Sequence, residues 1–528
     1  MKMKILVADP LAQEGIEILE KEGYEVEQSV GLSEEELKQR IGGFSALIVR
    51  SGVKVTREII EAAPDLKVIG RAGTGLDNID VETATRKGVI VMNTPGGNTI
   101  SAAEHTVSLL LAVSRNIPQA NEALRKGEWN RKKYMGTELY KKTLGIIGLG
   151  RIGSEVAKRA QAFMMKVLAY DPFISAAKVD ELGVTLCTLE ELLPRVDYLT
   201  IHTPLSSQTR SLIDARAIAL MKKGVFIINC ARGGIVDESA LYQDVKEGKV
   251  KGAALDVFEK GKPFNSPLLQ LDSVIVTPHL GASTAEAQTR VAEEIAHQIV
   301  DVLKRDKVVN AVNFPVFPSQ MEKKMGGYLS LAEKMGILSA QLMESHPGRI
   351  ELIYKGEITE YDLSVFTTAF LKGLLGFFLK EVVNYVNASL IARERGLEVL
   401  QTKMDGKSEG FASLIAAKLI SEKGEKKIEG TILEKDTPYI TAIDSFSLEF
   451  VPQGTLLICS NLDKPGVVGK VATVLGEYGV NIGGLRMGRN IPGEINMSVY
   501  SLDSTLPPEA LEILRETEEV LGAKLVLL

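Results

Sequence analysis

Three glycines, Gly148, Gly150 and Gly153, follow the apolar run Leu144–Ile147 and open a helical pattern. Glycines at this spacing permit a tight turn and a close backbone approach, so a pyrophosphate can rest on the helix N-terminus. The next apolar run, Val167–Tyr170, ends in Asp171, 18 residues after Gly153. A carboxylate there can accept hydrogen bonds from both ribose hydroxyls and repels a 2′-phosphate, which favours NAD over NADP. A glycine turn that served packing alone would not need the acid.

In open α/β sheets, ligands bind beyond the carboxyl ends of the strands. The residues that follow the apolar runs in this half are Asp171, His202-Thr203-Pro204, Cys230-Ala231-Arg232, Asp256 and Pro278-His279-Leu280-Gly281-Ala282. Ionisable groups thus gather at one edge. Hydride transfer from a hydroxy acid needs a base for the hydroxyl proton and a cation for the carboxylate. Of the five histidines, His105, His297 and His346 fall in helical patterns and read as surface or satisfied core residues. His202 and His279 close strands. His279, between a proline and a glycine loop, is the better placed to face a substrate. Arg232, followed by Gly233 and Gly234, is the natural carboxylate clamp.

The elements that must hold these groups are legible as alternating short apolar runs and helical patterns over the first 310 residues, the signature of parallel sheets flanked by helices. Early runs are Ile5–Ala8, Ala46–Val49, Val68–Gly70 and Val89–Met92, followed by a helical pattern from Ser101 to about Arg115. The second series is Leu144–Ile147, Val167–Tyr170, Tyr198–Ile201, Phe226–Asn229, Ala253–Leu255 and Val274–Val276. Such continuous runs suit strands buried on both faces. Ala285–Lys304 reads as one long helix, and Pro315 and Pro318 in NAVNFPVFPS mark a candidate linker. Residues 319–450 are mixed helix and strand without a chemical motif. The last 75 or so read strand, helix, strand, strand, helix, strand, a ferredoxin-like βαββαβ unit.

At 528 residues the chain is long enough for roughly three to four domains. Net charge is −6, which disfavours nucleic acid, and the basic stretch Arg125–Lys133 reads as a solvated helix end. Cys187, Cys230 and Cys459 are too few and too scattered for a disulfide framework or a zinc cluster, so no metal is expected. The N-terminus lacks a signal-peptide layout, and the apolar stretch Phe366–Leu379 is interrupted by Lys372 and shorter than the ~20 residues of a membrane span. The expected setting is the reducing cytoplasm, with no membrane partner.

The segments GLGRIG, NCARGGIVDE at 229–238, AALDVF at 253–258 and TPHLGAST at 277–284 resemble the D-2-hydroxyacid dehydrogenases. VRSGVKVT at 49–56, GRAGTGLDNID at 70–80 and NTPGGNTISAAEHT at 93–106 narrow the likeness to the long-form 3-phosphoglycerate dehydrogenase group. The resemblance implies two Rossmann-like doubly wound parallel-sheet domains, an α+β intervening domain and a C-terminal ACT domain. Its implied boundaries are 1–98 with 285–316 for substrate, 99–284 for NAD, 317–452 for the intervening domain and 453–528 for the ACT domain. It implies NAD-dependent oxidation of 3-phosphoglycerate to 3-phosphohydroxypyruvate, the entry to serine synthesis. By motif, Arg232 would bind and polarise the substrate and His279 would be the acid/base. NAD contacts would fall on Thr74, Gly148, Gly150, Arg151, Ile152, Gly153, Asp171, Thr203, Cys230, Asp256, His279, Gly281 and Ala282. Arg50, Ser51, Gly73 and Asn98 look like substrate-side positions, with Arg131 a further candidate for the phosphate. NLDKPGVVG at 461–469 and VNI at 480–482 resemble the ligand loop of ACT domains, which bind amino acids where two copies pair. Asn461, Asp463 and Asn481 therefore map to effector contacts, serine is the implied effector, and a homotetramer is the implied assembly.

Two positions depart from the resemblance. Relatives read DVFEKEP where this chain reads Asp256-Val-Phe-Glu-Lys-Gly261-Lys-Pro, so the glutamate that pairs with the histidine falls on Gly261. A carboxylate beside an imidazole fixes its tautomer and raises its pKa. Without it the histidine is a weaker acid for carbonyl reduction. Glu259, two residues away, would share the face of Gly261 in an extended segment and is a possible substitute. Met164 stands where relatives have glycine; at positive φ it would cost about 1 kcal/mol. The competing readings are another 2-hydroxyacid dehydrogenase, such as a glyoxylate or hydroxypyruvate reductase, and an NAD- and serine-binding regulator that has lost catalysis.

Overall fold

The computed structural model describes residues 3–305, 307–314, 319–379, 382–404, 411–433 and 436–528; the linker prolines Pro315 and Pro318 lie outside them. The aliphatic, β-branched runs become parallel strands because such side chains pack well on both faces of a buried sheet. The first sheet holds Lys4–Val7 (β1), Glu25–Gln28 (β2), Ala46–Val49 (β3), Val68–Arg71 (β4) and Ile90–Asn93 (β5), all parallel, in the order β2-β1-β3-β4-β5. Strand β2 has no apolar run: its sequence is EVEQ, and at the sheet edge both its glutamate and its glutamine at the ends are exposed. Pairing with β1, not hydrophobic pattern, makes it a strand.

The second sheet holds Thr143–Ile147 (β6), Lys166–Tyr170 (β7), Thr185–Leu186 (β8), Tyr198–Ile201 (β9), Val225–Asn229 (β10), Val250–Leu255 (β11) and Val274–Val276 (β12). Its order, β12-β11-β10-β9-β6-β7-β8, reverses direction at β6, where the glycine loop begins. Strands β9 and β10 are buried throughout. The helix Thr99–Arg115 connects the two sheets, and Ala285–Arg305 runs back to the first. Val291, Ile295 and Ile299 of that return helix share one core with Ile5 and Val7 of β1.

A six-stranded mixed sheet follows, built from Arg349–Gly356 (β13), Glu398–Met404 (β14), Ser413–Ser421 (β15), Gly424–Leu433 (β16), Thr437–Ile443 (β17) and Phe446–Phe450 (β18), in the order β14-β13-β15-β16-β17-β18. Helices Ser319–Leu342 and Ser364–Phe378 contribute Leu331, Met335, Phe366 and Phe370 to its core. His346 lies in the loop between helix and β13, not in a helix, with its ring edge-on to Phe378 at 4.4 Å. The Pro that follows it ends any helical continuation.

The C-terminal sheet is antiparallel: Thr455–Leu462 (β19), Ile482–Arg489 (β20), Ile495–Leu502 (β21) and Val520–Leu527 (β22), ordered β20-β21-β19-β22, with helices Val467–Glu477 and Pro508–Glu516. The βαββαβ order is the one expected. Leu456, Ile458, Met497, Val499 and Val526 on its other face join the core of the mixed sheet, so these two units share one hydrophobic interior. Among the described residues, no helix is long and apolar enough to cross a membrane.

Candidate active site

The glycine loop has the local geometry that a dinucleotide requires. Gly148 has φ +90°, and a Cβ there would meet the His202 carbonyl and Thr203 Cγ2 at 2.7 Å. A Cβ on Gly153 would collide with the Gly148 carbonyl oxygen, so the helix could not close onto its strand. A Cβ on Gly150, by contrast, has nothing within 4 Å: the backbone is left bare at the start of helix Arg151–Ala162, which has no side-chain cap. Uncapped amides with the positive end of a helix dipole suit a pyrophosphate. Thr203 Oγ1 is buried beside this loop without a hydrogen-bond partner in the chain. Arg151 and Ile152 form the first turn of the helix.

Asp171 follows β7 and accepts the amide of Leu149 at 2.8 Å on one oxygen and that of Phe173 at 2.9 Å on the other. The carboxylate is thus fixed, and each oxygen retains a lone pair for a ribose hydroxyl. These features fit NAD, which would lie along the loop with its ribose at Asp171. Cys230 takes no acidic part, since burial pushes its thiol up to about 12.

At the far edge of the same sheet, buried Asp256 organises the segment after β12. Its Oδ1 accepts from Thr277 Oγ1 at 2.6 Å and the Leu280 amide at 2.7 Å, and its Oδ2 accepts the Gly281 amide at 2.9 Å. His105 Nε2 stands 3.2 Å from both Asp256 Oδ1 and Thr277 Oγ1. Burial alone would raise the Asp256 pKa, but the bonds from His105, Thr277 and Leu280 outweigh it and hold the group ionised. Between Pro278 and Leu280, His279 adopts φ +58°, a left-handed conformation that the two following amides lock in place. Its edge faces solvent. The protein packed around the rest of the ring holds its pKa below the usual imidazole value, with Asp256 opposing that trend and Arg232 and Arg71 adding to it.

Arg232 leaves β10 with its backbone oxygen bound by Asn229 Nδ2 at 2.9 Å. Gly233 is needed because the Phe258 backbone passes against it. The guanidinium reaches across to the first sheet, where Nε meets Asp77 Oδ2 at 3.0 Å and Gly75 lies directly beneath it. Arg50 and Ser51 sit on a loop pinned from both sides. Asp9 Oδ2 accepts the amides of Arg50 at 2.7 Å and Val53 at 3.1 Å, and Asn78 Nδ2 donates to the carbonyls of Arg50 and Val53 at 2.7 and 2.6 Å. Thr74 Oγ1 donates to Asn98 Oδ1 at 2.9 Å, and Gly73, at φ +145°, lies against the Arg71 guanidinium.

Arg71 is the residue the sequence concealed. Its buried Nε has no partner in the chain, and burial with the neighbouring charge of Arg50 lowers its pKa to about 10. Arg71 lies within electrostatic reach of both Arg50 and Arg232, with His279 beside Arg71 and Arg232 and with Asp77 already paired to Arg232, so the three guanidinium groups make one cationic group. His105 and Asp77 are the other residues missed. The first looked like an ordinary helical histidine, and the partner of the second is 155 residues away.

Other expected residues stand apart. His202 bonds Thr200 Oγ1 at 3.0 Å and burial pushes it down to about 3, which leaves it neutral and structural. Arg131 stacks over Trp129 at 5.5 Å on the exposed stretch after helix Ile117–Arg125, and no described contact joins it to the cationic group. The extended geometry that would aim Glu259 like Gly261 is not formed. Phe258 to Gly261 is a turn closed by a 3.2 Å bond from the Gly261 amide to the Phe258 carbonyl, with Gly261 at φ +75°. The Glu259 carboxylate lies 3.7 Å from Arg210 instead.

In the C-terminal sheet, Asp463 accepts from the Gly493 amide at 3.1 Å and Asn496 Nδ2 at 3.2 Å, and Asn461 Oδ1 accepts from Ser498 Oγ at 3.0 Å. Asn481 instead bonds Asp503 Oδ2 at 2.6 Å, beyond the Leu502 end of β21, whereas Leu462 pairs with Ile495 at its start. At ~3.3 Å per residue the strand separates the two groups by about 20 Å. One copy does not bring all three together.

Comparison with known proteins agrees with this geometry. Residues 107–281 match the D-isomer specific 2-hydroxyacid dehydrogenase NAD binding domain, 324–444 the D-3-phosphoglycerate dehydrogenase intervening domain, and 455–519 the ACT domain. A D-lactate dehydrogenase from Aquifex aeolicus, solved with NAD and lactic acid, is 31% identical with a TM-score of 0.52, covering 59% of this chain and all of that one. The fold and site therefore define an NAD-dependent oxidoreductase of the 2-hydroxyacid dehydrogenase class. D-3-phosphoglycerate dehydrogenases from Methanocaldococcus jannaschii and Archaeoglobus fulgidus are 47% and 43% identical, over 98% and 99% of this chain and 98% and 100% of theirs. The chain belongs to the D-3-phosphoglycerate dehydrogenase family.

Proposed function

We propose that the chain oxidises 3-phospho-D-glycerate to 3-phosphohydroxypyruvate with NAD, in the serine-forming branch of cytoplasmic metabolism. The observation that carries this reading is the set of three guanidinium groups, Arg50, Arg71 and Arg232, beside His279, which exceeds what a lone carboxylate requires. Arg232 holds the substrate carboxylate bidentately, displacing Asp77, while Arg50 and Arg71 meet the phosphate. His279, neutral at pH 7, accepts the hydroxyl proton as the C2–H bond breaks. NAD, which the Gly148–Gly153 loop and Asp171 would hold, would supply the hydride acceptor when bound.

Turnover of phosphorylated and unphosphorylated hydroxy acids tests this against the glyoxylate or hydroxypyruvate reductase reading. A kcat/KM at least about 100-fold higher for the phosphorylated acid is expected, the worth of two charge-assisted hydrogen bonds. Equal values would favour the alternative.

Gly261 leaves His279 without a carboxylate from the 258–261 turn, and a slowed enzyme follows. The same absence supports the reading of an NAD- and serine-binding regulator as the alternative. The working division is 1–98 with 285–316, 99–284, 317–452 and 453–528. The ACT unit is the effector module, with serine as ligand. Since Asn461 and Asp463 lie at one end of its sheet and Asn481 at the other, a site using all three takes the second end from another copy. That requirement supports self-association, with a tetramer as the expected assembly.

A further inference from the structure

The functional reading leaves one histidine beside the active loop without a task. His105 projects from helix Thr99–Arg115 to within 3.2 Å of Asp256 Oδ1 and Thr277 Oγ1. Thr277 has a single hydroxyl proton, and it goes to Asp256 at 2.6 Å. The Thr277 oxygen can then only accept from His105, and ionised Asp256 can only accept as well. His105 must therefore carry its proton on Nε2 and share it between the two.

The consequence reaches His279. Asp256 binds the two amides immediately after that residue, at 2.7 and 2.9 Å, and these bonds hold the left-handed turn at His279. A buried carboxylate that loses a donor gains freedom to rotate toward another. Asp256 is also the nearest-bonded carboxylate support left to this loop, since the 258–261 turn presents Gly261 and gives Glu259 to Arg210. The helix that carries His105 is preceded by Asn98, which accepts from Thr74 Oγ1, and its Ser101 Oγ lies 2.7 Å from Thr284 Oγ1. One rigid rod thus touches the substrate loop, the catalytic loop and the segment after it.

We propose that His105 is a positioning residue. Its Nε2–H fixes the Asp256 carboxylate, and through it the orientation of His279. The inference rests on the reading of His279 as acid/base, so its test includes a readout independent of turnover. Hydrogen exchange of the Leu280 and Gly281 amides is measured in the whole chain, beside kcat and KM, for His105→Leu and His105→Gln. His105→Leu is expected to speed exchange of both amides and to lower kcat about tenfold, with KM for the hydroxy acid within about twofold. His105→Gln, which can still offer an N–H, is expected to restore most of both. Unchanged amide exchange in His105→Leu overturns the proposal, as does equal damage in the two variants with a lowered Tm. Faster exchange without any turnover in the unsubstituted chain would uphold the positioning role and count against the functional reading instead.

Discussion

Arg71 and Arg232 illustrate two kinds of residue that a sequence treats alike. Arg232 stood at a strand end with two glycines behind it, and its place in the cleft was legible. Arg71 sits in the GRAGTGLDNID segment, and nothing local distinguishes a guanidinium with a buried, unpartnered Nε from a surface one. Replacing it separates substrates: Arg71→Leu is expected to lower kcat/KM for the phosphorylated acid by about 10–100-fold. Turnover of the unphosphorylated analogue should change by less than about threefold, and a parallel fall on both would contradict the phosphate role. The pH dependence follows from His279. Its pKa is held down, so the neutral base persists to lower pH and oxidation should stay level from neutrality to below the ordinary imidazole value of 6.5. Reduction, which needs the protonated ring, should fall as pH rises through the same region. Steady-state rates in both directions across pH 5–9 check the sign. Met164 has φ +57°, the condition under which it carries a cost, and is exposed just beyond helix Arg151–Ala162. Met164→Gly should therefore raise stability by about 1 kcal/mol in chemical denaturation, with turnover unchanged.

At the scale of elements, the buried parallel strands were legible because their apolar runs are continuous, and the βαββαβ order because its patterns are well separated. Edge strand β2 was not, since EVEQ becomes a strand only by pairing with β1. Long-range partners were equally hidden, as with Asp77 and Arg232 or His105 and Asp256. The glycine loop was legible as a motif, but its three glycines have different surroundings, and two substitutions should part accordingly. Gly153→Ala drives a Cβ into the Gly148 carbonyl and should lower Tm. Gly150→Ala has open space, so it should fold normally and weaken NADH binding, read by fluorescence titration. Equal stability losses in both would argue against a loop kept bare for a pyrophosphate.

Across the whole molecule, the intervening region meets the unit of the first sheet through a small polar clasp. Asn384 Nδ2 donates to the Gly88 carbonyl at 2.8 Å, and Arg86 Nε meets Glu394 at 3.0 Å. The Gly88 turn leads into β5, whose Asn93 Nδ2 holds the Thr74 carbonyl at 2.7 Å. The mixed sheet and the ACT sheet share one core, so a shift in the ACT sheet has a packed route to the mixed sheet and from there, through the clasp, a hydrogen-bonded one to Thr74. If serine acts through it, Asn384→Leu should leave serine affinity within about twofold and at least about halve its effect on turnover. Calorimetry and inhibition curves measured together would show a wrong assignment as a full effect retained.

A working active site slowed by Gly261 is what most needs testing. NADH oxidation with 3-phosphohydroxypyruvate, comparing the chain with Gly261→Glu, tests it directly. Turnover by both, rising about 10–1000-fold in the variant, is the expected result, with the strain of a side chain at φ +75° appearing only as a modest loss of stability. Equal rates would show that Gly261 does not stand in the glutamate's place, and no turnover in either would contradict the enzyme itself.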